Sequence, residues 1–216
     1  MKKFIPRRGY PVAADYFFPH FIEPMLFRPV HHLCDSQDLA YEVKLNGLRV
    51  ILTKIHDKVT VYSRQGLNIT HDFRDIAMAA RTIPADLLTL DGEIVILNPD
   101  GRPALDQKSE QRLGTHRCFY AFDCLNNDGR DLCPQPYRDR KQLLHELFFQ
   151  VRDKNVMRLS PSLSGCLNDI ERHCRLLGFE GMLIKKRNAP YLPGKRSAWM
   201  KYSFDQHHPL VRFTKS

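Results

Sequence analysis

Chemistry in this chain starts from one lysine. Lys44 sits in Tyr41-Glu42-Val43-Lys44-Leu45-Asn46-Gly47-Leu48-Arg49-Val50, a strand-like run in which Gly47 precedes Arg49 by two residues. A lysine amine attacks phosphorus only in its neutral form, and burial and neighbouring cations both favour that form. Other basic groups must therefore gather around Lys44. Taken alone, the segment reads first as an edge strand, with its lysine in water and its glycine at a turn or bulge.

Further along, charged residues recur inside apolar runs. Asp91 and Glu93 interrupt Leu87–Leu97, where period-two alternation puts both carboxylates on one face. Asp123 follows Phe122 in the buried-looking run Cys118–Leu125. Glu180-Gly181 opens a strand ending at Lys185-Lys186, and Trp199-Met200-Lys201 lies in a last short strand, Ser197–Tyr202. Arg49 and Arg64 offer guanidinium forks suited to phosphate or ribose oxygens.

The elements that must position these groups are mostly strands. Arg49–Ile55 and Lys58–Ser63 flank His56-Asp57 and predict a β-hairpin, left through a turn at Gly66. Thr70 or Asp72 is expected to cap a helix running to Ala80 and stopped by Pro84. Asn98–Gly101 and Asn126–Gly129 are turns, and the polar stretch to Arg117 has room for a short helix. Leu143, Leu144, Leu147 and Phe148 recur at helical spacing within Tyr137–Val151, an apolar stripe facing the core. A further helix is expected over Asn168–Leu177, with Gly178 at its C-terminal cap. Strands outnumber helices and at least one hairpin is local, so the fold class is α+β, with largely antiparallel sheets flanked by helices. Prolines 6, 11, 19 and 24 among aromatic residues make 1–28 an extended arm anchored by Met25-Leu26. Residues 29–203 form the body and 204–216 a tail.

At 216 residues the chain accommodates one domain and a real core. Hydrophobic and charged fractions of 43% and 26% are globular values. No stretch approaches the roughly 18 apolar residues of a membrane helix, and the basic N-terminus lacks an apolar core of signal-peptide length. A soluble, cytoplasmic protein with no membrane partner is expected. The six cysteines contain no C-x2-C pair, so they read as reduced structural thiols rather than as a zinc site or disulfide scaffold. His31-His32 and His207-His208 read as surface residues. A net charge of +9 points to a polyanionic partner, nucleic acid ahead of a membrane surface. Composition alone fits equally a basic surface that serves solubility.

In order, Lys44-Leu45-Asn46-Gly47-Leu48-Arg49, Ser63-Arg64, Asp91-Gly92-Glu93, Tyr120-Ala121-Phe122-Asp123, Glu180-Gly181 through Lys185, and Trp199-Met200-Lys201 resemble the motifs of one family. It is the adenylation domain of ATP-dependent DNA ligases, within the covalent nucleotidyltransferase superfamily. Leu90-Asp91-Gly92-Glu93-Ile94-Val95, Asp100-Gly101-Arg102-Pro103 and Tyr191–Ser197 are most similar to the ligase domain of bacterial non-homologous end-joining enzymes. The likeness runs from Phe21 to Tyr202.

The resemblance implies the nucleotidyltransferase fold, with Lys44 taking AMP from ATP as a phosphoramidate. The AMP would pass to the 5′-phosphate of nicked DNA before a 3′-hydroxyl displaces it. It implies ribose or phosphate contacts for Arg49 and Arg64, a ribose hydroxyl on Glu93, and adenine stacked on Phe122 and read by backbone near Glu42. Lys185 and Lys201 would neutralise the α-phosphate. Glu180 would help hold Mg²⁺, an ion suited to a few carboxylates with substrate phosphates. Double-stranded DNA with nicks or ends would be the partner. Without the resemblance, Phe122 reads as plain core and Glu180 with Lys185 as a solvated pair. Lys186, Arg187, Lys195 and Arg196 read as duplex-phosphate contacts or solvated charge.

Three departures bear on activity. Asn46 stands where the family has Asp, removing a negative charge beside Lys44, and Ser203 stands where it has a second lysine. Only Phe204–Ser216 follow the last motif, too few for the oligonucleotide-binding (OB) barrel that follows in these ligases. The unit is then truncated, or an OB-domain or end-binding protein partners it, and self-adenylation in isolation is expected to be slow or absent. The alternative function is a catalytically degenerate homologue that binds DNA nicks or ends. RNA ligation or guanylyl transfer is disfavoured by the end-joining-like segments.

Overall fold

The protein is seen here as a computed structural model that describes residues 19–32, 36–104 and 113–204. Most of the expected arm, Cys34, residues 105–112 of the stretch expected to hold a short helix before Arg117, and His207-His208 lie outside the described residues. In chain order the strands are β1 (Leu26–Val30), β2 (Leu39–Val43), β3 (Leu48–Ile55), β4 (Lys58–Ser63), β5 (Leu87–Leu97), β6 (His116–Asn127), β7 (Arg130–Asp131), β8 (Met157–Leu159), β9 (Ser162–Leu163), β10 (Gly181–Lys186) and β11 (Arg196–Ser203). The helices are α1 (Arg74–Ala80), α2 (Tyr137–Phe149) and α3 (Leu167–Leu176).

Among the described residues these strands form two sheets. The first has the order β1-β11-β10-β2-β9; the second has the order β4-β3-β5-β6-β7, with β8 alongside β6. Pairing is antiparallel except for β1 with β11 and β6 with β8. β1 runs through residue 28, the expected end of the arm. The β3–β4 hairpin turns at His56, which takes a positive φ of 51°.

Alternation sorts each sheet into two faces. In the first sheet Tyr41, Val43, Met182, Ile184 and Met200 are buried with Ile170 and Cys174 of α3 and with Val95, Leu97, Cys118 and Tyr120 of the second sheet. The opposite parity carries Glu42, Leu183, Lys185, Trp199 and Lys201, brought into register by the pairs Leu183↔Glu42, Leu183↔Lys201 and Lys185↔Trp199. In the second sheet Val50, Leu52, Leu88, Leu90 and Phe119 join Ile76 of α1 and Leu144, Leu147 and Phe148 of α2 in the largest apolar cluster. Arg49, Ile51, Asp91 and Glu93 face the other way. A third cluster, Met25, Ile51, Phe122, Leu125, Tyr191 and Trp199, joins residues from both sheets.

Local signals behave as the sequence predicts at α3 and differently at α1. Gly178, at φ 81°, donates its N–H to Arg175 O while Phe179 N–H reaches Cys174 O, the paired bonds that end a helix on a left-handed glycine. The helix expected from Thr70 or Asp72 is instead split into a 3-10 turn, Thr70–Phe73, followed by α1, and neither residue caps it. Thr70 Oγ1 is turned toward β4, accepting Val61 N–H at 2.9 Å and donating to Asn68 at 2.7 Å. That hydroxyl serves the sheet, and competition of this kind is why Thr makes an ambiguous helix-start signal. The five cysteines among the described residues are free. No helix among those residues is long and apolar enough to cross a membrane.

Candidate active site

Lys44 lies where the chain leaves one sheet for the other. β2 ends at Val43 and β3 begins at Leu48 in the second sheet, so residues 44–47 bridge the two. Lys44 N–H still donates to Gly181 O at 3.1 Å, tying the bridge to the start of β10. Its side chain is 19% exposed, and the amine donates to Asn46 Oδ1 and lies 3.5 Å from Glu180 Oε2. Asn46 Nδ2 donates to the same Glu180 oxygen at 3.2 Å. The amide thus satisfies both neighbours at once, its oxygen toward the ammonium and its nitrogen toward the carboxylate.

Gly47 closes the bridge against β5. A Cβ there would sit 2.2 Å from Ile94 O and 3.2 Å from Glu93 Cγ, so the approach admits no side chain. The same contact lets Gly47 N–H donate to the Glu93 carboxylate. Burial pushes Glu93 up to about 7, against the pull of that hydrogen bond and of the Arg49 and Lys44 charges. Gly47→Ala should lower stability by about 3 kcal/mol, since backbone rather than a flexible side chain must yield. Chemical denaturation measures it, and a loss under about 1 kcal/mol would mean the bridge relaxes freely.

The Glu93 shift has a definite sign. The folded chain holds that proton up to about pH 7, whereas the unfolded chain releases it near the ordinary 4.5. The contribution of Glu93 to stability therefore falls as pH rises from 4.5 to 7 and is constant above. The full fall is about 3 kcal/mol, and Glu93→Gln should flatten that part of the stability-against-pH curve. An unchanged curve in the variant would assign the slope to another group.

Arg49 is held by Asp91, with Nε 3.1 Å from Oδ1 and Nη2 2.7 Å from Oδ2. Asp91 is fully buried and also accepts Tyr191 OH at 2.7 Å, while that oxygen accepts Met25 N–H at 2.8 Å. Burial opposes the Arg49 charge, but Asp91 outweighs it and raises the guanidinium above its ordinary value. Phe27, Phe122 and Trp199 close around it, with Cζ 5.0, 5.4 and 5.5 Å from their centroids.

Lys44, Asn46, Gly47, Arg49, Glu93 and Glu180 border one cleft of about 720 Å³. Of the residues singled out by sequence, Lys44, Arg49, Arg64, Glu93, Glu180 and Lys201 line it; Glu42, Phe122 and Lys185 do not. Phe122 is 2% exposed and packs edge-on to Trp199, so it backs the cleft instead of presenting a face to it. Lys185 is wholly buried rather than part of a solvated pair with Glu180. It donates to Glu42 Oε2 at 2.9 Å and lies 4.2 Å from the Trp199 centroid.

Sequence reasoning missed the partners of this buried layer. Tyr137 OH and Lys141 Nζ both donate to Glu42 Oε1, the latter at 2.7 Å. Arg140 takes Asp123 through two 2.8 Å bonds. All three lie on α2 at the helical spacing of Leu144, Leu147 and Phe148, so polar residues inside an apolar stripe were the available signal. Phe27 and Arg196 also line the cleft; nothing in the local sequence marks Phe27, and Arg196, read from sequence as a duplex-phosphate contact or solvated charge, lies in the cleft wall instead.

The lining carries five basic side chains, Lys44, Arg49, Arg64, Arg196 and Lys201, against two acidic ones, Glu93 and Glu180. That excess suits an anion with several charged oxygens. A family model described as "ATP dependent DNA ligase domain" matches residues 24–203. A probable DNA ligase of Mycobacterium marinum is 34% identical over 173 residues, covering 74% of this chain and 33% of that protein. A multifunctional non-homologous end joining protein LigD of Mycolicibacterium smegmatis is 33% identical over 167 residues, covering 77% of this chain and 21% of its own length. The chain thus spans a third or less of these relatives. Among solved structures, mycobacterial DNA ligase D complexed with ATP and MES aligns with a TM-score of 0.74 at 28% identity, over 84% of this chain and 60% of that one. The match to the family model spans most of the sequence, and the overall fold aligns with that of a solved DNA ligase: the chain belongs to the ATP-dependent DNA ligase domain family and has its nucleotidyltransferase fold.

Proposed function

We propose that this domain transfers AMP from ATP to its own Lys44 and then to the 5′-phosphate of a DNA break, the first stages of sealing. The observation that carries this is the convergence on one cleft of Lys44, Arg49, Arg64, Glu93, Glu180 and Lys201, drawn from six separate strands or their ends. In the first transfer the Nζ–phosphorus bond forms as the bond to pyrophosphate breaks, and the amine gives up one proton. Asn46 aims the amine by accepting its hydrogen bond. Asp91 holds the Nε–Nη2 edge of Arg49 and leaves Nη1 for a ribose or phosphate oxygen. Arg64 and Lys201 serve further phosphate oxygens, and Glu93 accepts a ribose hydroxyl. The base falls to the apolar part of the lining, Leu26, Phe27, Leu45 and Leu183, and Phe122 supports it from behind through Trp199, on which Phe27 stacks.

Mg²⁺ fits this donor set. Among the described residues no three potential ligands cluster into a protein cage, and Mg²⁺ is commonly held by one or two carboxylates plus substrate phosphates. Glu180, more than half exposed at the cleft mouth, is the residue that would hold it. When bound, the ion would shield phosphate charge.

Incubation with α-labelled ATP and Mg²⁺, followed by a denaturing gel, tests the proposal: a labelled band is expected, and labelled GTP should give none. A parent protein that binds nicked DNA yet takes up no label would favour the degenerate binder, for which Asn46 and Ser203 supply a reason. For DNA, the net charge of +9 predicts affinity that drops with salt, log K changing by about 0.9 per phosphate neutralised for each unit of log salt. A salt-insensitive affinity would exclude a phosphate-contacting surface.

A further inference from the structure

The buried layer behind the cleft carries an unequal number of charges. Glu42, with no exposed surface, accepts from two ammoniums: Lys185 at 2.9 Å on one oxygen and Lys141 at 2.7 Å on the other, where Tyr137 OH also donates. Asp123, the nearby acid on β6, is taken up by Arg140. One carboxylate therefore serves two lysines, and a single positive charge is left over. A neutral pair would have needed only one of them, and a surplus charge away from water is costly unless an anion compensates it.

The surplus lies close to the cleft. Lys185 is two residues along β10 from Leu183, which lines it, so about 7 Å of strand separates them. Its wholly buried ammonium sits among the rings of Trp199, Phe122 and Tyr137, 4.2, 4.8 and 4.8 Å from their centroids. Burial draws the Lys185 ammonium below its ordinary value; Glu42 and, after it, Asp123 oppose that, and Lys141 adds to it.

We infer that Lys141 of α2 is a positioning residue for nucleotide binding: by sharing Glu42 it leaves Lys185 under-neutralised, and the resulting positive charge behind the cleft favours an anionic over a neutral ligand. Lys141 touches no ligand; it acts through Glu42 and Lys185. The inference rests on the proposal that the cleft holds a nucleotide, but not on transfer to Lys44.

Equilibrium binding of ATP and of adenosine to the full chain tests it. Lys141→Met leaves Glu42 and Lys185 as a balanced pair, so ATP should bind on the order of tenfold more weakly while adenosine changes little. Lys141→Arg should restore the parent's ATP-to-adenosine ratio. Should Lys141→Met fail to fold, Lys141→Gln, which keeps an N–H donor where the ammonium reaches Glu42 and, at 3.1 Å, Ser160 O, gives the same comparison. A ratio unchanged in the neutral variants, or equal losses for both ligands, would overturn the inference while leaving the nucleotide site standing. A parent protein that binds neither ligand would overturn both. A parent that binds ATP but takes up no label would remove only the proposed transfer.

Discussion

Lys44→Ala should fold as the parent does and lose label transfer from ATP by on the order of 10⁴-fold or more, the scale expected when a covalent nucleophile is removed. Stability should hardly move, because the side chain lies at the cleft mouth with Asn46 and an exposed Glu180 as its partners, and exposed ion pairs contribute little. Lys44→Arg separates charge from chemistry. Arginine keeps the cation that an anionic ligand meets but cannot supply a neutral amine, so ATP binding should persist without label. Label retained in either variant would move the nucleophile elsewhere.

Arg140→Met is expected to have the largest effect on stability, a loss of about 3–5 kcal/mol by urea denaturation. Asp123 would keep only the backbone N–H of Cys124, leaving a buried carboxylate without its cation. The damage should also reach the cleft. Arg140 Nη1 holds Ala189 O at 3.2 Å, at the start of the loop that carries Tyr191 to Asp91, and Asp91 in turn holds Arg49. Adding Asp123→Leu to Arg140→Met should recover most of the loss, since replacing both members of a buried pair by apolar groups is often close to neutral. A single variant within about 1 kcal/mol of the parent would mean that water reaches Asp123.

Several of the cleft-lining residues were legible in the sequence because they sit in local patterns that break their own rule. Lys44 stands in a strand-like run three residues before a glycine, Glu93 interrupts the apolar alternation of β5, and Glu180-Gly181 opens a strand. The β3–β4 hairpin and the cap at Gly178 are likewise written within a few residues. What lay hidden depends on partners far apart in the chain. Glu42 and Lys185 are separated by 143 residues and Glu42 and Lys141 by 99, so nothing near any of them announces that they meet. Phe122 has the composition of a stacking residue, but Trp199 and Arg49 occupy its surroundings. The parallel pairing of β1 with β11 joins the beginning and end of the described chain, a register that no local alternation encodes. Thr70 shows the reverse failure, a good local cap signal overridden by a hydrogen bond to β4.

The account depends most on the identity of the residue that receives AMP. Incubation of the parent chain with ATP and Mg²⁺, followed by intact-mass analysis and peptide mapping under conditions that preserve a phosphoramidate, measures it directly. One AMP on the peptide containing Lys44 is the predicted result. AMP found on Lys185, Lys201 or another side chain, or a chain that binds ATP and gains no mass, would contradict it.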